Sequence, residues 1–450
     1  MRAFNACDGR KSIRLRIINS INYDFINSTT SKMNSIVLND DQKTALNLVK
    51  QGKNVAILSQ GGTGKTTFLS FLYGWCKSNN KKLALTSSTG TSALTLGSGR
   101  ARTLHSLMGV GLAQKGADQL AFATMRKNKQ LVKKLHQLDI LGLDEISMHG
   151  KLFFDKISDY MSIIRKDTRP FGGVQLVITG DFFQLPPIND DFAFDSNAWT
   201  KLGLHFVEFN VQVRQQDDVQ FAKILSNARI GELTDEDFMV LKNNPKPDFG
   251  TVQPTILYST NMDVDRINFT NYMDLVKKGF EEKVYKTTYS DHAHVKTWAD
   301  SLKIPDETEL CVGAQVMLTI NLSLDIGLAN GSRGIIVAFD PDGVIVEFTD
   351  GEQYLVEQHM YMDEDEIMWA VTIPLKLSWA MTIHKSQSSS LDCLKTNLAQ
   401  RIFEKGQAYV ALSRCRTLRG VEFIDIAKES FVASEKVKEF YRTLNYENKL

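Results

Sequence analysis

Apolar runs of strand length stand at 82–85, 138–143, 174–179 and 205–209, and longer stretches of helical periodicity such as 151–164 separate them. Strands alternating with helices predict a parallel sheet wound on both faces. In that architecture ligands bind beyond the carboxyl ends of the strands, so chemistry belongs where an apolar run stops. Three runs stop that way. Asn54-Val55-Ala56-Ile57-Leu58 leads into Ser59-Gln60-Gly61-Gly62-Thr63-Gly64-Lys65-Thr66, Leu138-Asp139-Ile140-Leu141-Gly142-Leu143 into Asp144-Glu145-Ile146-Ser147, and Val174-Gln175-Leu176-Val177-Ile178-Thr179 into Gly180-Asp181-Phe182-Phe183-Gln184. The alternation restarts at Thr255-Ile256-Leu257-Tyr258. From about 282 to 368 it gives way to short strands and turns, where 312–318, 334–339, an Asp340-Pro341-Asp342-Gly343 turn and 344–348 predict a small β-barrel.

The first junction has the composition of a phosphate cradle. A loop wrapped around a triphosphate must turn its N–H groups inward, which Gly61, Gly62 and Gly64 permit. Thr63, Lys65, Thr66 and Thr67 complete the binding set: Lys65 supplies a point charge to the β/γ-phosphates and the Thr66 hydroxyl is a magnesium ligand. The helix that starts near Gly64 aims its positive dipole end at the anion. Ser59 stands where the usual pattern opens with glycine. At the second junction Asp144 orients the magnesium and Glu145 accepts a proton from an attacking water. At the third, Gln184 is placed where a neutral amide senses the γ-phosphate.

Composition limits what such an ATPase serves. The 450 residues are 43% hydrophobic and 23% charged, which suits an ordinary globular chain of several domains. A net charge of +1 means that a polyanion must be gripped by a local groove. Five scattered cysteines without C-x-x-C spacing argue for a reducing, intracellular compartment and against a zinc site. No apolar run approaches the ~18 residues of a membrane span, so no membrane partner is expected. The segment 1–33, with Arg2, Arg10, Lys11, Arg14 and Arg16, has a composition that resembles an organellar presequence, but it is read as a frayed basic tail or an extension before Met33. The run Arg126, Lys127, Lys129, Lys133 and Lys134 on a predicted helix reads as a solvated face or a duplex-binding one.

Further motifs carry a resemblance. Arg169-Pro170-Phe171-Gly172-Gly173 through Gly180-Asp181-Phe182-Phe183-Gln184-Leu185-Pro186-Pro187 resembles the signature of the petite-integration-frequency (PIF) family of DNA helicases, in the RecD-like branch of superfamily one. Thr86 to Ala93, Thr103-Leu104-His105-Ser106, Asp144 to Met148, Val213-Arg214-Gln215, Trp379 to Gln387 and Gly406 to Arg414 follow in family order, so the resemblance spans roughly 38–423. Ser388 departs from it, standing where glycine is common.

The resemblance implies an α/β fold of two RecA-like domains enclosing one ATP: the first at 34–212, with a short wedge insertion about 110–125, and the second at 213–281 and 369–450, interrupted by an SH3-like β-barrel at 282–368. It implies Gln42 as the adenine reader and Arg214 and Arg414 as the arginines that meet the transferring phosphoryl group, although either arginine alone reads as a surface residue or a structural ion pair. Thr89, Thr91, His105, Ser106, His384, Lys385 and Ser386 are implied to lie along a single-stranded DNA track, while His105 and His384 alone read equally as loop-bonded histidines. The implied activity is ATP-driven movement on single-stranded DNA, 5′ to 3′, with opening of forked or 5′-tailed duplexes by a monomer. Two other classes fit the same residues: a nucleic-acid-stimulated ATPase acting on RNA or on protein–nucleic acid complexes without unwinding, and a P-loop switch protein.

Overall fold

The computed structural model describes residues 37–89, 92–93, 96, 101–111, 113–247, 254–323, 326, 328, 330–348, 351–362, 367–387, 389–391, 393–399 and 402–448. The basic segment 1–33, Thr91, Ser388 and the acidic run 363–366 lie outside the described residues. What is described falls into two compact units, a larger one holding residues up to Phe269, Ile320–Gly331 and the chain from Trp379 on, and a smaller one of Thr270–Thr319 and Ser332–Ser378.

The larger unit contains two parallel sheets. The first has six strands, β1 (Val55–Leu58), β2 (Leu83–Ser87), β3 (Ala101–Thr103), β4 (Ile140–Leu143), β5 (Gln175–Gly180) and β6 (His205–Val207), in the order β3-β2-β4-β5-β1-β6. Side chains alternate across a strand. In β1, Ala56 and Leu58 therefore enter one core with Phe154, Ile157 and Met161, while Val55 and Ile57 enter another with Phe68, Leu69 and Leu72. Both faces are covered by helices, so the strands read as unbroken apolar runs. Burying each such side chain contributes about 1.5–3 kcal/mol. Gly142 leaves room within β4 for Leu85, whose Cδ2 would stand 2.6 Å from a Cβ there.

The second sheet has four parallel strands, β7 (Thr255–Tyr258), β8 (Ala380–Thr382), β9 (Leu394–Leu398) and β10 (Val421–Ile426), in the order β8-β7-β9-β10. The crossover from β9 to β10 contains the helix Gln407–Ser413, buried along its whole length. After β10 the chain returns to the first core. In the helix Glu435–Arg442 and just beyond it, Val437, Phe440, Tyr441 and Leu444 join the cluster around Phe182 and Trp199, and Phe440 stacks on Phe194 at 4.1 Å.

The basic run differs from the single helix that its sequence predicts. Asn128 is non-helical (φ −134°, ψ 71°), ends the helix Ala117–Lys127 and caps Lys129–His136 by accepting from the Leu131 N–H at 2.9 Å. All five cations are exposed. The smaller unit is antiparallel: a five-stranded sheet runs Gln353–Glu357, Gly343–Phe348, Arg333–Asp340, Gln315–Leu318 and Leu375–Leu377, with a three-stranded and a two-stranded sheet beside it in the chain's pairing. Its hairpin turns at Asp340, whose Oδ1 accepts from the Asp342 N–H, and the backbone of Gly343 lies so near Val356 that a Cβ would stand 2.2 Å from its carbonyl oxygen.

Candidate nucleotide-binding site

The loop after β1 is locked before any ligand enters. Ser59 N–H donates to the Gly180 carbonyl at the end of β5, and Ser59 Oγ accepts from Phe209 N–H at 2.6 Å. Ser59 is buried and is not among the positive-φ residues, so this position requires no glycine and uses the hydroxyl to tie the loop to the end of β6. Gly62 and Gly64 do need their freedom, at φ 86° and 85°. Gly62 also packs so closely that a Cβ would stand 2.7 Å from Arg214 Cβ.

Lys65, the first residue of the helix Lys65–Ser78, folds beneath the loop and donates from Nζ to the carbonyls of Ser59 (2.6 Å) and Gln60 (2.7 Å). Burial lowers its pKa, and Asp181, Glu145 and Asp144 oppose that loss of charge. Thr63 Oγ1 donates to the Gln60 carbonyl; Thr66 is half-buried and Thr67 exposed. Gln42 is held by a capping box, its Oε1 accepting from Asn39 N–H at 3.1 Å and its amide nitrogen facing the Gly64 carbonyl at 3.5 Å.

Asp144 ends β4 as a buried carboxylate that accepts from Thr179 Oγ1 at 2.6 Å and from the Glu145 N–H. Burial, followed by the adjacent Glu145, pushes its pKa up to about 7. Glu145 is in the left-handed conformation at φ 56°, which costs about 1–3 kcal/mol and fixes its direction at the start of the turn Ile146–Met148. A buried carboxylate oxygen at a strand end suits a hard divalent cation such as magnesium, and the hydroxyl held against it is that of Thr179.

The second sheet delivers Arg414, and the segment that follows β6 delivers Arg214. Arg414, 1% exposed, follows the helix Gln407–Ser413 and donates from Nε to Val410 O (2.9 Å) and from Nη2 to Ser413 Oγ (2.7 Å). Arg214 donates from Nη1 to Ser413 O, while the N–H groups of Val213 and Arg214 both reach Gly62 O. Burial and then Arg214 lower the Arg414 pKa to about 10. Two guanidinium groups held together in a buried place form a receptor for spread negative charge. A Cβ on Gly61 would meet Arg414 Nη2, Gln184 Nε2 and Tyr409 Oη, each at 3.8 Å, so three polar groups converge above the loop. Gln184 Oε1 is buried without a hydrogen-bond partner among the described residues.

The helix that carries Arg414 starts at Gly406, whose φ is 80° and whose Cβ would stand 2.5 Å from Phe183 O and 2.8 Å from Gln184 O. Gly406→Ala is expected to cost at least about 1–2 kcal/mol from the left-handed backbone alone and to lower turnover by displacing Tyr409 and Arg414. Chemical denaturation and steady-state ATPase assays check this; a variant as stable and as active as the parent would contradict it.

Sequence reading gave Asp181 no role, yet it is a fully buried junction. It receives Arg229 Nε at 3.1 and 3.0 Å and Nη2 at 2.9 Å, together with the hydroxyls of Tyr409 (3.2 Å) and Tyr441 (3.3 Å). Arg229 also lies over the rings of Phe183 and Tyr441. Tyr409 in turn accepts from the Gly61 N–H at 3.3 Å, so the junction continues into the cradle. The only local signal was an acid at a strand end.

The described residues assigned to a strand track lie beside both sheets. Thr89 Oγ1 is within 2.7 Å of Ser92 Oγ; Ser106 is exposed, and its N–H is capped by Thr103 Oγ1. His105 stacks on Phe153 at 4.3 Å, Phe153 also stacks with His149, and burial lowers the pKa of both histidines, that of His149 to about 4. On the other sheet, burial lowers the His384 pKa, Lys385 is exposed, and Ser386 is buried with Oγ donating to Ile383 O.

A glycine-rich cradle on one parallel sheet, met by an arginine from a second, defines a P-loop protein with two RecA-like cores. The sequence profile described as PIF1-like helicase matches residues 37–238, and that described as DNA helicase Pif1, 2B domain, matches 304–339. The chain is 35% identical over 426 residues to the ATP-dependent DNA helicase PIF1 of Danio rerio, covering 92% of this chain and 65% of that protein, just under two thirds of its length. The crystal structure of Pif1 helicase from Candida albicans superposes with TM-score 0.81 at 30% identity, covering 91% of this chain and all of that one. The chain belongs to the PIF1-like helicase family. A Pif1 helicase from Bacteroides, solved in complex with ADP-AlF3 and ssDNA, is similar at TM-score 0.76 and 27% identity, over 91% of this chain and 97% of that one.

Proposed function

We propose that the chain is an ATP-dependent DNA helicase that moves along single-stranded DNA 5′ to 3′ and opens forked or 5′-tailed duplexes, acting as a monomer. The observation that carries this is the meeting of the cradle after β1 with Arg414 from the second sheet's buried helix: Arg414 Nη2 and the Tyr409 hydroxyl converge on Gly61, and Arg214, whose N–H donates to Gly62 O, donates from Nη1 to Ser413 O. A charge receptor built from two sheets is complete only when both are in place, so nucleotide binding and hydrolysis change how strongly they are held together. Family membership and the strand-bound Bacteroides relative support single-stranded DNA as the partner. The scattered cysteines, without C-x-x-C spacing, support a reducing, intracellular setting.

In this reading Gln42 reads the adenine, and the loop Gly61 to Gly64 with Thr63, Thr66 and Thr67 surrounds the phosphates. Lys65 neutralises the β- and γ-phosphate oxygens. Glu145 accepts a proton from the attacking water, and Arg214 and Arg414 stabilise the charge that develops on the equatorial oxygens. Asp144 and Thr66 would hold magnesium, which supplies charge neutralisation when bound. Gln184, with its unspent oxygen, registers the γ-phosphate. Thr89, Thr91, His105, Ser106, His384, Lys385 and Ser386 form the strand track, with exposed Lys385 meeting phosphate directly and buried Ser386 shaping its loop.

Arg414→Ala is expected to lower kcat by about 10²–10³-fold, the scale of removing one preorganised charge stabiliser, with a smaller change in KM. Steady-state ATPase measurements check it, and turnover that survives the loss of both Arg214 and Arg414 would favour a switch protein. Single-turnover unwinding of 5′-tailed and 3′-tailed DNA, beside an RNA fork, tests the whole reading. Displacement of the 5′-tailed DNA alone is expected; ATP turnover without strand displacement on any DNA would overturn it.

A further inference from the structure

Two short segments with different chemistry touch through one pair of side chains. Ser147 lies in the turn Ile146–Met148 that Glu145 begins, and Gln387 caps the helix Ile383–Ser386 that bears His384 and Lys385. Gln387 Nε2 donates to Ser147 Oγ at 3.3 Å, although the two residues are 240 positions apart. Ser147 is fully buried and Gln387 is 2% exposed, so water does not compete freely for the contact. Gln387 Oε1 has no hydrogen-bond partner among the described residues. An unpaired buried acceptor costs about 1–3 kcal/mol. The amide therefore uses half its capacity in this arrangement and gains from any shift that brings a donor to the oxygen. At the other end, Glu145 is held at φ 56°, in a narrow conformational well where a small movement of the turn redirects its carboxylate.

We propose that the Ser147–Gln387 pair is the contact through which an occupied strand track raises ATP turnover, with both side chains acting as positioning residues for Glu145. This inference rests on the helicase reading. A strand gripped beside Lys385 shifts the helix Ile383–Ser386; Gln387 carries that shift to Ser147, and the turn re-aims Glu145. Neither residue needs to touch nucleotide or DNA.

The test compares the full chain with its Ser147→Ala, Gln387→Leu and double variants, measuring ATPase turnover with and without saturating oligothymidylate, and oligothymidylate affinity by fluorescence anisotropy. Each single variant is expected to lose about tenfold in stimulated turnover, within the usual range of coupling between two sites. Basal turnover and oligothymidylate affinity stay near those of the parent, and the double variant loses no more than the worse single one, as expected for one shared contact. Ser147→Thr keeps the hydroxyl and is expected to keep the stimulation. Ser147→Ala deletes one oxygen and carries the test should the Leu variant fail to fold. Stimulation that survives in Ser147→Ala, or losses that multiply in the double variant, would overturn the pair's role. A parent enzyme whose turnover ignores oligothymidylate would instead reject the helicase reading, and the coupling with it.

Discussion

Replacing Lys65 by Ala is expected to reduce ATP turnover by about two to three orders of magnitude, the scale of losing one preorganised charge stabiliser. Lys65 is 8% exposed and its ammonium is fixed by two loop carbonyls, so it is already in place when the anion arrives. No neighbour can substitute. Arg214 and Arg414 are held by the carbonyls of Ser413 and Val410 on the other side of the cradle. The fold should survive, because burial works against this charge and its removal abolishes that cost. Steady-state ATPase, thermal unfolding and oligothymidylate binding separate these effects. The expected outcome is lost turnover with retained fold and retained strand binding; full turnover would reject the cradle assignment.

Asp181→Ala should have the largest effect on stability, about 3–5 kcal/mol, because it leaves the Arg229 guanidinium buried and uncompensated. Burial works against the Arg229 charge, and Asp181 more than offsets it, so that its pKa is raised. The substitution also removes the acceptor of Tyr409 and Tyr441, loosening the contact between the Tyr409 hydroxyl and Gly61. A fall in turnover should accompany the loss of stability. Urea denaturation of Asp181→Ala, Arg229→Met and the double variant checks this. The double variant should be less destabilised than the sum of the singles, since no lone charge remains. A loss below about 1 kcal/mol in Asp181→Ala would mean that the junction is not a buried ion pair of the kind described.

Much of the site was legible because it obeys local rules. Thr255–Tyr258 is a strand as its four apolar and β-branched residues predict, and Lys65, Asp144 and Gln184 stand just past strands whose side chains are buried on both faces. Strand ends moved by one or two residues. Leu138 is apolar but precedes β4, since it belongs to the core beneath the helix Lys129–His136 and not to the ladder. Asn128 breaks the basic run because its side chain caps the following helix, a competition with backbone hydrogen bonding that a count of charges does not register.

The sequence by itself determined the strands of a parallel sheet, the glycine-rich turn, its lysine and the acidic pair, because each depends on periodicity or turn chemistry within about ten residues, while the division into two such sheets came from the family resemblance. Only the tertiary structure decided that the C-terminal helix packs back on the first core, that Arg229, Tyr409 and Tyr441 surround Asp181, and that Gln387 reaches Ser147. Those contacts join residues 48 to 260 positions apart, and a buried polar group finds its partner by proximity in space, of which neighbouring sequence carries no record.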